Sequence, residues 1–361
     1  MASIAHQFYP LSVRDVRRET GETVSISFDV PAALADKFTF KAGQYIALKL
    51  DIDGEDVRRN YSVCASPLEG ELRVAVKTLP GGRFSTYANT ALRAGDVLEV
   101  LPAAGHFTAN FVPDQARYYA AFAAGSGITP ILSLIKTALQ TESASIFVLF
   151  YGNRNSTDIL FLEELAGLKN RFMDRLEVFH FLSAEEDEIG LFNGRLNEEK
   201  CTEVLCTLVA PAEVDLFFVC GPEGMMLAVE GALLEAGVAK DRILLERFAA
   251  AGISVAQHAQ ARDAAKAAAG RKIGVVLDGR KSIVTFNADL GNILDSVRAA
   301  GMSAPYACKG GVCATCRAKV LSGSVEMLRN YGLTDGEVAQ GYILTCQSTP
   351  KGDDVVITYD N

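Results

Sequence analysis

Four of the eight cysteines in this chain lie within its last 54 residues, and their spacing limits how that region can fold. Cys308, Cys313 and Cys316 form a C-x4-C-x2-C loop, and Cys346 follows in the segment LTCQ. One tight loop with a distant fourth cysteine matches the ligand spacing of a [2Fe–2S] cluster. The two glycines inside the loop would let the backbone turn sharply and point its N–H groups at the sulfurs. The sequence therefore predicts an iron–sulfur domain with these four cysteines as metal ligands.

Zinc is the main alternative partner for four thiolates. Zinc ribbons usually have two short C-x2-C knuckles, whereas this chain has one long loop and a lone cysteine. Disulfides fit less well, because the first residues lack the apolar segment of a signal peptide and the cytosol keeps thiols reduced. The spacing favours the cluster, and a zinc-stabilised interaction protein is the alternative.

The composition of the whole chain is that of a globular protein with two or three domains. Its 361 residues are 49% hydrophobic and 22% charged, and domains usually have ~100–150 residues. No apolar run approaches the ~20 residues that a membrane span needs. The net charge is −9, and nucleic-acid binders normally carry a basic stripe instead. We expect a cytoplasmic protein that binds neither membranes nor nucleic acids.

Residues 1–110 contain short stretches of alternating apolar and polar residues, which predict an antiparallel β-barrel. The predicted strands lie in TVSISFDV, KFTFKAG, QYIALKLDIDGED, ELRVAVKTLPGG and GDVLEVLP. Two strands are followed by the segments RRNYS at 58–62 and GGRFST at 81–86. Arginine suits a phosphate, a tyrosine face suits a flat ring, and hydroxyls suit ring edges. Together the segments predict a cradle for a flat, phosphorylated cofactor, although each alone could be a solvated corner.

Residues 111–250 alternate apolar runs with helical stretches, a pattern typical of βαβ units around a parallel sheet. The segment AFAAGSGITP runs from a strand through two glycines into a helix, whose N-terminus can bind a pyrophosphate. The segment FFVCGPEGM places a cysteine and a tight turn at the end of another buried strand. Open α/β sheets bind ligands at such strand ends. Two glycines alone are weak evidence, so the nucleotide site is predicted from the two segments together.

Residues 251–270 are rich in alanine and poor in large apolar residues, so we predict an interdomain linker, partly helical, at this place. Residues 271–361 form the predicted third domain, with strands, one helix and the cysteine loop. The predicted fold class is therefore multi-domain α/β plus β.

These segments together resemble the ferredoxin–NADP⁺ reductase superfamily, in the branch that carries a C-terminal plant-type [2Fe–2S] ferredoxin domain. The matching motifs are R-x-Y-S in the first region, G-x-G-x-x-P and C-G-P in the second, and the cysteine loop in the third. The resemblance covers nearly the whole chain. It implies an antiparallel flavin-binding β-barrel, a parallel α/β nucleotide-binding domain and a β-grasp-like ferredoxin domain. It also implies FAD as the flavin, with FMN as the alternative.

The resemblance assigns site residues by matching motif. The residues that it implies for the flavin are Arg59, Asn60, Tyr61, Ser62, Lys77, Gly82, Arg83, Phe84 and Ser85. The residues that it implies for the nicotinamide nucleotide are Gly125, Gly127, Thr129, Arg154, Cys220, Gly221, Pro222 and Met225, and it implies that Phe248 approaches the flavin. Ser62, Cys220 and Glu246 would neighbour the flavin and the nicotinamide. No catalytic acid or base is implied, because the cofactors carry out the chemistry.

The implied function is an NAD(P)H-dependent reductase that supplies electrons to a separate oxygenase component. Arg154 follows a strand end where a 2′-phosphate could bind, which favours NADPH over NADH. The acceptor could belong to a ring-hydroxylating or steroid-hydroxylating system or to another oxygenase. A passive electron carrier with inert extra domains is disfavoured by the flavin and nucleotide motifs.

Overall fold

The computed structural model describes residues 7–248 and 255–360. The described chain divides into two compact units, one spanning Phe8–Phe248 and the other containing residues 255–360. None of the described helices has the length and hydropathy needed to cross a membrane.

The first unit begins with a six-stranded antiparallel sheet in the order β4-β3-β6-β1-β2-β5. A single antiparallel bridge between Val63 and Val74 joins the two edges of this sheet. Buried aliphatic and aromatic side chains of alternate strand positions form its core, as the period-2 pattern predicts. The elements are β1 (Tyr9–Thr20), β2 (Thr23–Asp29), β3 (Tyr45–Ile52), β4 (Glu55–Ser62), β5 (Leu72–Lys77), α1 (Arg83–Thr90) and β6 (Val97–Ala104).

The second part of this unit is a parallel sheet in the order β11-β10-β7-β8-β9. Its strands are continuous apolar runs because helices cover both faces. The chain order reverses between β7 and β10, which makes their carboxyl ends the ligand-binding edge expected for such sheets. The elements are β7 (Tyr118–Ala124), α2 (Ile128–Thr141), β8 (Ile146–Asn153), α3 (Leu162–Arg171), β9 (Leu176–Leu182), α4 (Glu198–Thr207), β10 (Leu216–Cys220), α5 (Glu223–Glu235) and β11 (Ile243–Glu246).

Helix α2 connects the two sheets of the first unit. Ser133 donates a hydrogen bond to the Ala65 carbonyl at 2.6 Å, and the hydroxyls of Ser66 and Thr137 lie 2.9 Å apart. Residues 63–66 directly follow β4. Strand β4, which carries predicted flavin residues, is therefore attached through residues 63–66 to α2. The N-terminus of α2 directly follows the predicted nucleotide loop.

A buried ion network strengthens this attachment. Lys136 of α2 is 3% exposed, and its Nζ lies 3.2 Å from Glu69 and also pairs with Glu164 of α3. Arg73 of β5 donates to both carboxylate oxygens of Glu164, at 2.8 and 2.9 Å. Burial favours the neutral acid, but the two cations outweigh burial and hold the pKa of Glu164 below its ordinary value. The antiparallel and parallel sheets are thus held together by charges as well as by packing.

The second unit contains a five-stranded mixed sheet in the order β13-β12-β18-β14-β16 and a small β15-β17 pair. Strands β12 and β18 are parallel, and the other neighbours are antiparallel. The elements are α6 (Val255–Ala267), β12 (Lys272–Leu277), β13 (Arg280–Thr285), α7 (Ile293–Ala299), β14 (Arg317–Ser322), β15 (Val325–Met327), α8 (Asp335–Ala339), β16 (Tyr342–Leu344), β17 (Ser348–Pro350) and β18 (Val356–Thr358).

The antiparallel sheet and the parallel sheet are confirmed, but one predicted strand is wrong. The segment KFTFKAG contains the end of a 3₁₀ helix at Ala32–Phe38 and then a loop. Its alternation arises because Phe38 points into the core while the loop leaves the sheet. Residues 251–254 of the predicted linker lie outside the described residues. From Val255 the segment is helical, and Ala265 and Ala268 join the core of the second unit.

Candidate functional site

The two predicted nucleotide segments meet at the carboxyl edge of the parallel sheet. Gly125–Gly127 forms one turn of 3₁₀ helix between β7 and α2, and Gly125 has a φ of +52°. A Cβ on Gly127 would lie far inside the contact distance of the Cys220 carbonyl at the end of β10. Only glycine allows this approach, so the first loop rests directly on the second.

The start of α2 is suited to an anion. Thr129 is buried, and its hydroxyl donates to the Ser126 carbonyl at 3.0 Å. Gly127 precedes the helix without a side-chain cap, and Pro130 occupies the first turn. The first N–H groups of a helix have no partners within it and carry the positive end of its dipole. This turn can therefore bind a phosphate group.

A buried thiol and a partly buried carboxyl group lie side by side at the same edge. Cys220 ends β10 and pairs in register with Glu246 of β11. Burial raises the pKa of Cys220 well above its ordinary value and raises the pKa of Glu246 to about 8. Both groups therefore keep their protons at neutral pH. This part of the edge is uncharged, which suits an apolar ring of a ligand.

The turn after Cys220 is tightly packed. A Cβ on Gly221 would come within 2.7 Å of the Met225 side chain and 3.2 Å of the Ala124 amide nitrogen. Pro222 precedes α5 and is exposed, whereas Met225 is buried beneath the turn. Phe248 follows β11 and is 45% exposed. The structure thus brings most of the predicted nicotinamide residues to one edge.

Arg154 lies just beyond β8 and is held by two carboxylates. Its guanidinium donates to Asp158 at 2.9 Å and to Glu22 of the antiparallel sheet at 3.3 Å. Glu22 also lies 3.6 Å from the Nζ of Lys77. Arg154 is 61% exposed, so an incoming phosphate could exchange with these surface carboxylates. Lys77 lies at the end of β5, beside Arg154 rather than on the flavin strand.

Strand β4 presents the R-x-Y-S motif next to β3. The side-chain oxygens Asn60 Oδ1 and Ser62 Oγ are buried and have no hydrogen-bond partner within the described part of the chain. Buried polar atoms normally have partners, so these two oxygens on one strand are available to hydrogen-bond a ligand. The Tyr61 ring lies 5.5 Å from the Phe84 ring, and burial raises the pKa of Tyr61. Arg59 is exposed, and within the described ranges its guanidinium donates to the neighbouring Arg58 carbonyl, which leaves most of its N–H donors available to a phosphate.

The loop before α1 is a second candidate anion site. Gly81 has a φ of +70°, and a Cβ on Gly82 would collide with the Ser85 hydroxyl. Ser85 donates to the Gly82 carbonyl at 3.1 Å and accepts from the Leu79 N–H at 3.1 Å, which fixes the loop at the helix N-terminus.

Arg83 follows Gly82 but turns away from this helix end. Its guanidinium pairs with Glu55 and, at 3.2 Å, with Asp53 in the β3–β4 turn. In the segment GGRFST, the backbone and Ser85 therefore lie at the N-terminus of α1. Arg83 instead links α1 to the β3–β4 hairpin through its ion pairs.

The four predicted metal ligands lie together in the second unit as two pairs. Cys308 hydrogen-bonds to Cys313, and Cys316 hydrogen-bonds to Cys346. The contact with Cys308 lowers the pKa of Cys313 below its ordinary value. No three Cys, His, Asp or Glu side chains of the described chain are arranged around a single ion. Two cysteine pairs suit two iron atoms better than one tetrahedral zinc ion.

The backbone of the cysteine loop is shaped for this arrangement. Lys309, Gly311 and Ala314 all have positive φ angles, of 52°, 79° and 49°. The Gly310 N–H donates to Cys308 Sγ at 3.3 Å, and the Cys308 N–H donates to Cys313 Sγ at 3.4 Å. Such N–H groups stabilise negatively charged sulfur.

Comparison with known proteins identifies the three parts in the same order. Family models match the oxidoreductase FAD-binding domain at residues 10–109, the oxidoreductase NAD-binding domain at 122–231 and the 2Fe-2S iron-sulfur cluster binding domain at 275–351. The chain is 43% identical over 353 residues to a subunit of the 1,2-phenylacetyl-CoA epoxidase of Escherichia coli (strain K12), and the match covers 98% of each chain. The chain belongs to the ferredoxin–NADP⁺ reductase superfamily.

Other relatives of the reductase match it over nearly the whole chain. It is 35% identical to the 3-ketosteroid-9-alpha-monooxygenase ferredoxin reductase component of Rhodococcus rhodochrous, covering 97% of this chain and 96% of the relative. Its fold matches phthalate dioxygenase reductase with a TM-score of 0.59 and 20% identity, over 97% of this chain and 98% of the other. The reductase is therefore an oxidoreductase with FAD, nicotinamide and [2Fe–2S] domains, as the sequence predicts.

The residues present fit these groups. Orphaned buried oxygens lie on the flavin strand, glycines that tolerate no Cβ line both phosphate loops, and the cysteines form two pairs. Two residues near these sites were not singled out from the sequence, Lys136 and Tyr151. The signal for Lys136 is a lysine in the otherwise apolar helix ITPILSLIKTALQT.

Proposed function

We propose that this reductase transfers electrons from NADPH through FAD and the [2Fe–2S] cluster to the oxygenase component of a phenylacetyl-CoA 1,2-epoxidase, in the cytoplasm. The observation that carries this proposal is the 43% identity to the Escherichia coli epoxidase protein over 98% of both chains. The order of the motifs and the segment LERF at residues 245–248 also resemble the reductase of that system. The steroid monooxygenase reductases, at 35% identity or less, make a steroid-hydroxylating partner the second candidate.

The proposed domains are an FAD-binding domain at 1–110, an NAD(P)H-binding domain at 111–250, a linker at 251–270 and a ferredoxin domain at 271–361. The three family matches fall inside these boundaries. When bound, the flavin accepts a hydride from the nicotinamide and releases electrons singly, which is what a one-electron cluster requires.

The chain's own residues would position these groups. Tyr61 and the orphaned oxygens of Asn60 and Ser62 would contact the flavin ring system, and the N-terminus of α1 at Gly82 would bind its phosphates. Arg59, with its exposed guanidinium, would neutralise the pyrophosphate.

The nucleotide would bind across the carboxyl edge of the parallel sheet. The loop Gly125–Gly127 and the α2 N-terminus would hold its pyrophosphate. Cys220 and Glu246, both protonated, would give the nicotinamide an uncharged, desolvated neighbourhood. Arg154 would bind the 2′-phosphate of NADPH by exchanging its surface carboxylates for it.

The partner is tested by reconstitution. The purified reductase, with its iron content verified, is mixed with the purified oxygenase component of a phenylacetyl-CoA epoxidase, and epoxidation of phenylacetyl-CoA is followed with NADPH. A steroid 9α-hydroxylase oxygenase with its own steroid serves as the control. We expect coupled turnover with the first oxygenase and little with the second. Coupled turnover with the steroid system alone would contradict the proposed partner while leaving the reductase assignment intact.

A further inference from the structure

Tyr151 lies beneath the nucleotide loop, and its hydroxyl contacts the loop directly. It belongs to β8 and is fully buried in the core beside α2. Its hydroxyl donates a hydrogen bond to the Gly125 carbonyl at 3.0 Å. A buried tyrosine hydroxyl normally finds a hydrogen-bond partner, and here that partner is the loop carbonyl.

This hydrogen bond acts together with the one that the Gly125 carbonyl accepts from the Ile128 N–H, and the two fix the orientation of one peptide group. Because Tyr151 is buried, the Gly125 carbonyl that it holds must point towards the interior of the sheet. The described chain has no cis peptide bond. In a planar trans peptide the C=O and N–H point in opposite directions. The N–H of Ser126 is therefore directed away from the interior, towards the edge where the nucleotide is proposed to bind.

The alternative orientation would harm anion binding. Gly125 has a φ of +52°, and a glycine can change its backbone angles at little steric cost. If its peptide group turned over, a carbonyl oxygen would face the pyrophosphate where an N–H group should be. Burial raises the pKa of Tyr151 above its ordinary value, so the hydroxyl keeps the proton that it donates.

We propose that Tyr151 is a positioning residue for the nucleotide, holding the Gly125–Ser126 peptide so that its N–H faces the pyrophosphate. The proposal rests on the assignment of the loop Gly125–Gly127 to the nucleotide under the proposed function. Because Tyr151 is fully buried and its hydroxyl contacts the loop, it would act through the loop. It should affect NADPH and NADH equally, since both share the pyrophosphate.

The test compares Tyr151→Phe with Tyr119→Phe in the full-length, flavin-loaded protein. Tyr119 is a matched control, because it is fully buried in the adjacent strand β7 and its hydroxyl donates to Glu142 at 2.9 Å, away from the loop. Binding of ADP-ribose, which contains the pyrophosphate but cannot react, is measured by calorimetry. We expect Tyr151→Phe to weaken it about fivefold, the effect of one neutral hydrogen bond. The KM values for NADPH and NADH should rise by the same factor with kcat within about twofold.

Unchanged ADP-ribose affinity in Tyr151→Phe, or equal weakening in Tyr119→Phe, would overturn the role of Tyr151. A second measurement needs no variant. Hydrogen–deuterium exchange of the wild-type peptide covering residues 122–131 should slow when ADP-ribose binds, because the Ser126 N–H gains an acceptor. If wild-type protein binds ADP-ribose without slower exchange in this peptide, both the loop assignment and the role of Tyr151 are contradicted. If exchange slows in the wild type but Tyr151→Phe binds ADP-ribose with wild-type affinity, only the role of Tyr151 is contradicted.

Discussion

Replacing Lys136 with Met tests whether the buried ion network holds the two sheets of the first unit together. Lys136 is 3% exposed and pairs with Glu69 and Glu164, and Glu164 also keeps Arg73 as a partner. Removing one partner of a buried ion pair costs about 3–5 kcal/mol. We expect a value near the lower limit, about 3 kcal/mol, because Glu164 retains Arg73. For a unit of this size, that loss lowers Tm by about 6–12 °C.

The assay is thermal unfolding of the FAD-loaded protein, followed by the rise in flavin fluorescence when the flavin is released. Lys200→Met is the matched control, since Lys200 pairs within α4 with Glu203, whose side chain is 50% exposed to solvent. A surface pair contributes about 0–1 kcal/mol. The control should therefore shift Tm by no more than about 4 °C.

The pH dependence gives an independent check of the sign. The pKa of Glu164 is held below its ordinary value, so its contribution to stability is present above pH 5 and is lost as the pH falls towards the folded pKa. The difference in Tm between wild type and Lys136→Met should therefore narrow as the pH falls from 7 to 4. A Tm for Lys136→Met equal to that of the control, or a difference that grows in acid, would refute the role of the network.

Three further substitutions test the site. Gly127→Ala would drive a methyl group into the Cys220 carbonyl and should abolish ADP-ribose binding. The control Gly167→Ala, whose added methyl group meets no neighbour, should leave ADP-ribose binding unchanged. Equal binding by both variants would contradict the close approach of Gly127 to the Cys220 carbonyl. Arg154→Ala should raise the KM for NADPH about tenfold and leave that for NADH unchanged, as expected for one lost phosphate contact; an unchanged ratio of the two kcat/KM values would show the assignment wrong. The pKa of Glu246 is raised to about 8, so wild-type stability should fall as the pH rises from 5 to 8, and Glu246→Gln should remove that slope in a Tm series. A slope that persists in Glu246→Gln must come from other groups.

Local sequence signals predicted the parts of the site that depend on chain-local geometry. The spacing of a C-x4-C-x2-C loop restricts the backbone conformations that the loop can adopt. The glycines of the two nucleotide segments are needed because the two loops approach each other too closely for a Cβ. The parallel sheet was predictable because its strands are continuous apolar runs. The strand β1 (Tyr9–Thr20) was missed, since its second half is charged and its alternation is visible only over Leu11 and Val13.

Long-range electrostatics were beyond sequence reasoning. Lys77 and Arg154 belong to different sheets, yet both lie beside Glu22. Arg83 belongs to a predicted phosphate loop but pairs with Asp53 in a hairpin that lies 30 residues earlier. Such partners follow from tertiary packing, which no local motif encodes. The residue roles at these positions stay predictions that the substitutions above can test.

The central claim, that electrons pass from nicotinamide through flavin to the cluster within this chain, is tested most directly by an anaerobic NADPH titration. The full-length protein, with its iron content verified, is followed by visible absorption and electron paramagnetic resonance. We predict that the flavin absorption bleaches and that the rhombic signal of a reduced [2Fe–2S] centre grows with it. Bleaching of the flavin without that signal, in protein that contains the cluster, would contradict the claim.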